Sequence, residues 1–254
     1  MELTLRDKVA LVTGGGSGIG QAIALAFAGA GAAVAVVGRT PAKLNAVANE
    51  IRRSSGRAIA VPADVSRSDE VAAAVASVVA AFGGLDLLVN SAGFSPSGRV
   101  TDISEAEWDE CLAVNLRSVF LGARAAIPHM QRRGAGVILS VAGTFGLRAA
   151  ANKAAYSTAK AGVINLTRAI ALDYGQDRIR CNVICPGYVD TPLTAGVPPA
   201  ERDAFLAATQ PLPGVIQAND VAALAVYLAS DAAQMITGQV FVIDGGQQAG
   251  LHRA

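Results

Sequence analysis

The 254-residue chain carries 21 Lys and Arg against 20 Asp and Glu, a formal net charge of +1, and 52% of it is apolar with few aromatic residues. No basic stripe stands out from the mixed charges, which excludes nucleic acid as the main partner. The first residues lack the apolar stretch of a secretory signal, and the longest nearly continuous apolar stretch, Val71 to Phe82, is too short to cross a bilayer, so we expect a cytoplasmic protein with no membrane partner.

Short apolar runs alternate with longer helical patterns along the chain. The predicted strands cover residues 9–12, 33–37, 58–61, 85–89, 137–141, 179–184 and 240–243, and the predicted helices cover residues 18–30, 41–54, 68–82, 112–133, 154–174 and 220–229. Strands without polar alternation are typical of parallel sheets covered on both faces. The sequence therefore predicts one α/β domain over residues 1–254, a doubly wound, Rossmann-like sheet of about seven strands that binds ligands beyond its carboxyl-terminal strand ends.

The first predicted strand runs into the glycine-rich segment Thr13–Gly20, in which a helix begins. Glycines permit a tight turn and let backbone N–H groups approach a pyrophosphate, while the helix N-terminus adds partial positive charge. The spacing is a variant of the G-x-G-x-x-G fingerprint rather than a literal match. It predicts a dinucleotide site at Gly14, Ser17, Gly18, Ile19 and Gly20.

The end of the second predicted strand distinguishes the two nicotinamide cofactors. An acidic residue there would bind the ribose 2′-OH of NAD, whereas an arginine accommodates the 2′-phosphate of NADP. Arg39 follows this strand and no carboxylate does, which favours NADP over NAD. The alternative is a solvated loop arginine, since Ser17 stands where a second basic residue would support a phosphate.

Tyr156 and Lys160 are four positions apart and share one face of the predicted helix 154–174. A phenol titrates near pH ~10 and exchanges protons poorly near neutrality unless a fixed cation stabilises its phenolate. Lys160 is placed to be that cation, which would make Tyr156 a general acid or base. The alternative is an ordinary exposed Tyr/Lys pair.

The chain resembles the single-domain branch of the short-chain dehydrogenase/reductase family over essentially its full length. The segments that carry the resemblance, all in family order, are Thr13–Gly20, Asp64-Val65, Asn90-Ser91-Ala92-Gly93, Asn115, Tyr156-x-x-x-Lys160, Pro186–Thr191 and Asp244-Gly245-Gly246. The resemblance implies an NAD(P)-dependent oxidoreductase that interconverts a carbonyl and a secondary alcohol by hydride transfer. It also implies a homo-oligomer, a tetramer or dimer.

The resemblance further implies roles by position. Tyr156 would exchange a proton with the substrate, Lys160 would lower the pKa of that phenol and hold the nicotinamide ribose, and Asn115 would anchor a water linking Lys160 to solvent. The other cofactor contacts would be Asp64 and Val65 at the adenine, Asn90, Ala92 and Gly93 at the adjoining ribose and strand, and Pro186, Gly187, Val189 and Thr191 around the nicotinamide.

Two departures from the family pattern stand out. Asn90-Ser91 replaces a common pair of asparagines, a change that we expect to affect packing more than chemistry. The serine that polarises the substrate oxygen usually lies thirteen residues before the tyrosine, where this chain has Gly143. We favour Ser140 as that serine, which requires a longer loop before Tyr156; the alternative without a gap leaves Thr144 or a substrate group to supply the hydrogen bond.

The remaining expectations concern the surroundings of the site. The loops 94–96, 144–148 and 192–197 should form the substrate wall, and residues 191–214, with Phe205 and Leu206, should form a small lid. Cys181 and Cys185 read as buried structural thiols rather than metal ligands, and we expect no metal. Gly143, thirteen residues before the tyrosine, favours a rival function, a catalytically weakened dinucleotide-binding regulator or scaffold on the same fold.

Overall fold

The computed structural model describes residues 3–250; residues 1–2 and 251–254, which the predicted domain includes, lie outside the described residues. Seven parallel strands form one sheet in the order β3-β2-β1-β4-β5-β6-β7. The strands are β1 Val9–Thr13, β2 Ala33–Gly38, β3 Ala58–Pro62, β4 Leu87–Asn90, β5 Gly136–Val141, β6 Ile179–Pro186 and β7 Val240–Ile243. The predicted doubly wound fold is confirmed, with strand ends displaced by at most two residues.

Helices cover both faces of the sheet. Their bounds are α1 Gly18–Gly29, α2 Pro41–Arg53, α3 Ser68–Phe82, α4 Glu105–Leu112, α5 Ser118–Arg133, α6 Ala154–Tyr174, α7 Pro199–Thr209 and α8 Ala218–Ala229. One core packs α1, α2 and α8 against the sheet, and a second core packs α3, α5 and the end of α6 against the other face. Strands β1, β4 and β5 are buried along their whole length, which explains why their sequences are mostly apolar and do not alternate with polar residues.

The single predicted helix 112–133 is wrong at its start. The structure has α4 from Glu105, a π-helical turn at Ala113–Arg117, and then α5. Ser104 caps α4, because its hydroxyl accepts from the Glu107 N–H while the Glu107 carboxylate accepts from the Ser104 N–H. This capping box was present in the sequence, but the charged residues after it hid the helical apolar spacing.

The direction of winding places the ligand crevice. The chain moves from β1 through β2 to β3, then returns to β4 beside β1 and continues outward to β7. The loops after β1 and β4 therefore separate to opposite faces and leave a crevice at the carboxyl ends of these strands. Within residues 3–250, no helix is both long enough and apolar enough to span a membrane.

Candidate active site

A cavity of about 900 Å³ opens at the carboxyl ends of the strands. Its wall contains most of the cofactor and catalytic residues predicted from the sequence: Gly14, Ser17, Gly18, Ile19, Gly20, Arg39, Asp64, Val65, Ala92, Gly93, Tyr156, Lys160, Pro186, Gly187, Val189 and Thr191. Three predicted residues do not line it, namely Asn90, Asn115 and Ser140. Residues from six separated parts of the sequence thus meet in one crevice.

The glycine-rich turn has a shape that side chains would block. Gly14 has φ +65°, and a Cβ added to it would lie 2.9 Å from the Ala92 backbone nitrogen. A Cβ at Gly20 would collide with the Gly14 carbonyl oxygen. The turn therefore brings bare backbone to the cavity at the start of α1, where the amide dipoles favour a phosphate. These residues fit the pyrophosphate of a dinucleotide.

Arg39 and Asp64 line the same cavity after β2 and β3. Burial opposes ionisation of Asp64, but hydrogen bonds from the Ser66 backbone N–H (2.9 Å) and hydroxyl (2.8 Å), together with the charges of Arg39 and Arg67, hold the pKa of its carboxyl below the ordinary value. The exposed Arg39 guanidinium has no carboxylate within salt-bridge distance among the described residues. This end of the cavity can receive a charged ribose substituent.

Tyr156 and Lys160 lie one turn apart on α6 and both face the cavity. The Lys160 Nζ donates to the Val141 carbonyl oxygen at 2.9 Å, and it lies 5.5 Å from the centroid of the Tyr156 ring. Lys160 is 4% exposed, so its position is fixed by packing as well as by this bond. The predicted pairing of amine and phenol is therefore present in the structure.

The electrostatics of the pair differ from the expectation. Burial raises the pKa of Tyr156 to about 12, and the neighbouring Cys111 and Cys185 thiols push in the same direction. Burial also lowers the pKa of Lys160 to about 8. A lowering of the phenol pKa by Lys160 is therefore not seen in the protein alone, where burial, which disfavours a phenolate, is the largest effect. Below pH 8 the pair is a neutral phenol beside an ammonium.

Ser140 is not at the reacting end of the cavity, which corrects our preference for it. This serine is fully buried within β5, and its hydroxyl accepts from the Asn90 Nδ2 at 3.4 Å. Gly143 takes the place expected for the missing serine, since a Cβ added there would lie 3.7 Å from the Tyr156 hydroxyl oxygen. This placement favours the alignment without a gap, in which the position opposite the phenol carries no side chain.

Thr144 lines the cavity beside this gap but is not free. Its hydroxyl lies 3.5 Å from the Gln247 Oε1, and the Gln247 Nε2 donates to the Thr209 hydroxyl at 3.1 Å. Gln247 thus connects the loop after β5 to α7. Sequence reasoning missed this glutamine, whose one signal was its place just after the Asp244-Gly245-Gly246 motif.

The two predicted asparagines do not line the cavity; their side chains form hydrogen bonds that stabilise the structure around it. Asn115 lies in the π-helical turn, where its Nδ2 donates to the carbonyl oxygens of Phe94 (2.6 Å) and Cys111 (2.9 Å). These bonds pin the loop after β4 to the start of α5. Asn90 is buried in β4 and donates to Ser140. A water link from Asn115 to Lys160 stays a prediction.

Comparison with known proteins decides the family. Residues 14–248 match the protein family described as enoyl-(acyl carrier protein) reductase. The chain is 41% identical to cis-4-hydroxycyclohexanecarboxylate dehydrogenase of Sinomonas cyclohexanicum over 96% of its length and 97% of that protein. It belongs to the short-chain dehydrogenase/reductase family.

Two further relatives of this short-chain dehydrogenase/reductase bear on its cofactor and chemistry. D-beta-hydroxybutyrate dehydrogenase of Rhizobium meliloti is 39% identical over 81% of this chain and 84% of that protein. A Beutenbergia cavernae structure described as an NAD(P)-dependent gluconate 5-dehydrogenase, with NADP bound at low occupancy, superposes with a TM-score of 0.93 at 37% identity, covering 98% and 100% of the two chains. The family assignment makes this chain an NAD(P)-dependent oxidoreductase.

Large apolar side chains also line the cavity of this short-chain dehydrogenase/reductase. Phe145, Leu193, Val197 and Phe205 line it, and Phe205 belongs to α7, the helix within the predicted lid. Among the charged wall residues that sequence reasoning missed, which include Glu201 and Arg202, Lys153 lies nearest to Tyr156 in the sequence. It lines the same wall three positions before Tyr156. Its only sequence signal was a lysine one helical turn ahead of the tyrosine.

Proposed function

We propose that the protein interconverts a ketone and a secondary alcohol with NADP(H), using Tyr156 as the group that exchanges a proton with the substrate oxygen. The observation that carries this proposal is the Tyr156 phenol in the cavity wall with the buried Lys160 ammonium 5.5 Å from its ring. The names of two relatives support it, since both denote dehydrogenases of secondary alcohols.

The chain's residues divide the work of holding the cofactor. The turn Gly14–Gly20 would bind the pyrophosphate, Asp64 and Val65 the adenine, and Pro186–Thr191 the nicotinamide end, and all of these segments line the cavity. When bound, the cofactor supplies or accepts the hydride. Side chains of the protein must therefore donate or accept the proton.

The proton chemistry follows from the two pKa values. Below pH 8 Tyr156 keeps its proton and Lys160 is charged, so the phenol can act as a general acid towards a carbonyl oxygen. As the proton leaves, negative charge develops on the phenol oxygen, and the nearby ammonium stabilises that charge more than the neutral ground state. Lys160 therefore acts on the transition state, and the same groups run in reverse for alcohol oxidation.

Gly143 leaves the substrate oxygen without its second side-chain donor. The Thr144 hydroxyl lies towards Gln247, so we propose that Tyr156 works without a partner hydroxyl at this position. One missing donor of this type costs about 2.7 to 4 kcal/mol of transition-state stabilisation. The proposed enzyme should therefore be slower than its fold allows, or should act on substrates that supply the bond themselves.

Arg39→Ser should change the cofactor preference. We expect the KM for NADPH to rise about 10- to 50-fold, the order of losing one charge-assisted phosphate contact, while the KM for NADH changes by less than about threefold. Arg53→Ser on the exposed end of α2 is a matched control that should change neither value. If Arg39→Ser changed the KM values for NADPH and NADH equally, Arg39 would not bind the 2′-phosphate.

Turnover separates the proposed enzyme from the rival regulator. The protein should oxidise NADPH only when a ketone is present. It should reduce NADP⁺ only when a secondary alcohol is present. A panel of small aliphatic and cyclic ketones, followed at 340 nm, is the measurement. Tight NADPH binding with no turnover on any ketone or alcohol would favour the regulator, whose support is Gly143.

We also propose self-association through α5 and α6. Phe120 on α5 is 46% exposed and Leu172 on α6 is 85% exposed, and both are large apolar side chains. Burial against a second copy would remove both from water. Sedimentation of the protein as a monomer at micromolar concentration would contradict this.

A further inference from the structure

Lys153 is a cation in the cavity wall without an anionic partner. Its Nζ donates to the hydroxyl oxygens of Ser97 (2.6 Å) and Ser95 (3.1 Å) and approaches the Pro96 carbonyl oxygen at 3.5 Å. Across residues 3–250, no carboxylate oxygen lies within 4.0 Å of this ammonium. Hydroxyls are neutral, so they position the charge without compensating it.

The position of Lys153 assigns it to the substrate rather than to the cofactor. Lys153 and Lys160 are seven residues apart with Tyr156 between them, which corresponds to about 10 Å along α6. Lys160 donates to the Val141 carbonyl oxygen in β5, whereas Lys153 contacts the loop after β4. The glycine-rich turn follows β1 and leads into α1, whereas Lys153 precedes α6.

Three features make this place favourable for an anion. Burial lowers the pKa of Lys153, which means that its charge is partly desolvated and would be stabilised by an opposite charge. Ser95 also lines the cavity, and its hydroxyl can rotate to donate to the same ligand. Lys153 is the N-cap of the 21-residue α6, whose positive end carries no side-chain cap.

We propose that the substrate carries an anionic group, a carboxylate in the first instance, which Lys153 and Ser95 bind while Tyr156 meets the reacting oxygen. The inference rests on the proposed oxidoreductase function and narrows its substrates to hydroxy acids and the corresponding keto acids. Lys153 and Tyr156 are separated by about 4.5 Å of helical rise, so the carboxylate and the carbonyl would be a few bonds apart. Lys153 is thus a specificity-determining residue for the proposed reaction.

The test compares charged and neutral forms of one ketone. For 4-oxocyclohexanecarboxylate against its methyl ester, the wild type should show a kcat/KM at least tenfold higher for the acid. Lys153→Met should lower kcat/KM for the acid about 30-fold, mainly through KM, and change the value for the ester by less than threefold. Lys153→Arg keeps the charge and should recover most of the loss, and Lys8→Met, at the opposite end of the sheet, is the matched control.

A second measurement does not need turnover. Calorimetric titration of cyclohexanecarboxylate into the protein with NADPH should show binding that Lys153→Met weakens about 30-fold, and cyclohexanecarboxamide should bind weakly to both. An equal loss for acid and ester, or equal binding of carboxylate in both proteins, would overturn the inference and leave Lys153 as a loop anchor. Carboxylate binding through Lys153 without turnover of any ketone would instead refute the proposed function alone.

Discussion

Tyr156→Phe should lower kcat for ketone reduction by about 10² to 10⁴, which is the usual contribution of a positioned general acid. The phenyl ring keeps the packing of α6 against the cavity and removes one hydroxyl. Because Gly143 offers no hydroxyl opposite the phenol, the loss should lie towards the upper end of this range. Initial rates with saturating NADPH and ketone are the measurement.

Two controls accompany this variant. Tyr174→Phe removes a hydroxyl from the other end of α6, where the ring packs on a core, and should leave kcat within about twofold. The dissociation constant of NADPH, followed by its fluorescence, should stay within about threefold in Tyr156→Phe, because the turn Gly14–Gly20 is unchanged. A Tyr156→Phe protein that keeps more than a tenth of the wild-type kcat would show that another group moves the proton.

Gly143→Ser and Gly143→Ala form the second pair with a large expected effect. A Cβ at this position would meet the Tyr156 hydroxyl oxygen at 3.7 Å and the Pro186 carbonyl oxygen at 3.8 Å, so there is room for a side chain facing the substrate. Only the serine adds a donor there. We expect kcat/KM of Gly143→Ser to exceed that of Gly143→Ala by about 10²-fold, as for an added transition-state donor.

The alanine variant is needed because any L-residue at this position would strain the backbone. Gly143 has φ +147°, which an L-residue rarely adopts, so both variants should lose about 1 to 3 kcal/mol of the free energy of unfolding. The ratio of the two rates cancels this shared cost. Equal rates for the two variants, with equal unfolding free energies, would show that no donor is missing opposite Tyr156.

The fold was predictable because its signals are local or periodic. The apolar strands, the alternation with helices and the glycine turn after β1 each follow from a physical requirement that leaves a pattern in the sequence. A parallel sheet also predicts that ligands bind beyond the carboxyl ends of its strands, but the strand order that locates the crevice came from the structure. The start of α4 was missed because a capping box with a charged first turn does not produce apolar spacing.

The chemistry of the site was less predictable because it depends on how deeply each side chain is buried and on which way it points. Four-residue spacing placed Lys160 beside Tyr156, but it could not show that burial would raise the pKa of the phenol. The sequence around Ser140 resembled a serine motif, yet a strand alternates its faces, and Ser140 points at Asn90. The surroundings of Lys153 could not be predicted from the sequence, because its hydrogen-bond partners lie in a loop more than fifty residues earlier.

The pH dependence of ketone reduction tests the central claim most directly, namely that the Lys160 ammonium assists proton donation by a neutral Tyr156 phenol. The pKa of Lys160 is lowered to about 8 and that of Tyr156 is raised to about 12, so the donor stays protonated while the assisting charge is lost as the pH rises. We expect kcat/KM to be flat below pH 8 and to fall up to tenfold per pH unit above it, with the descending limb absent in Lys160→Arg. A rate that rises between pH 7 and 9, or that already falls around pH 6 as an acidified phenol would require, would contradict the account.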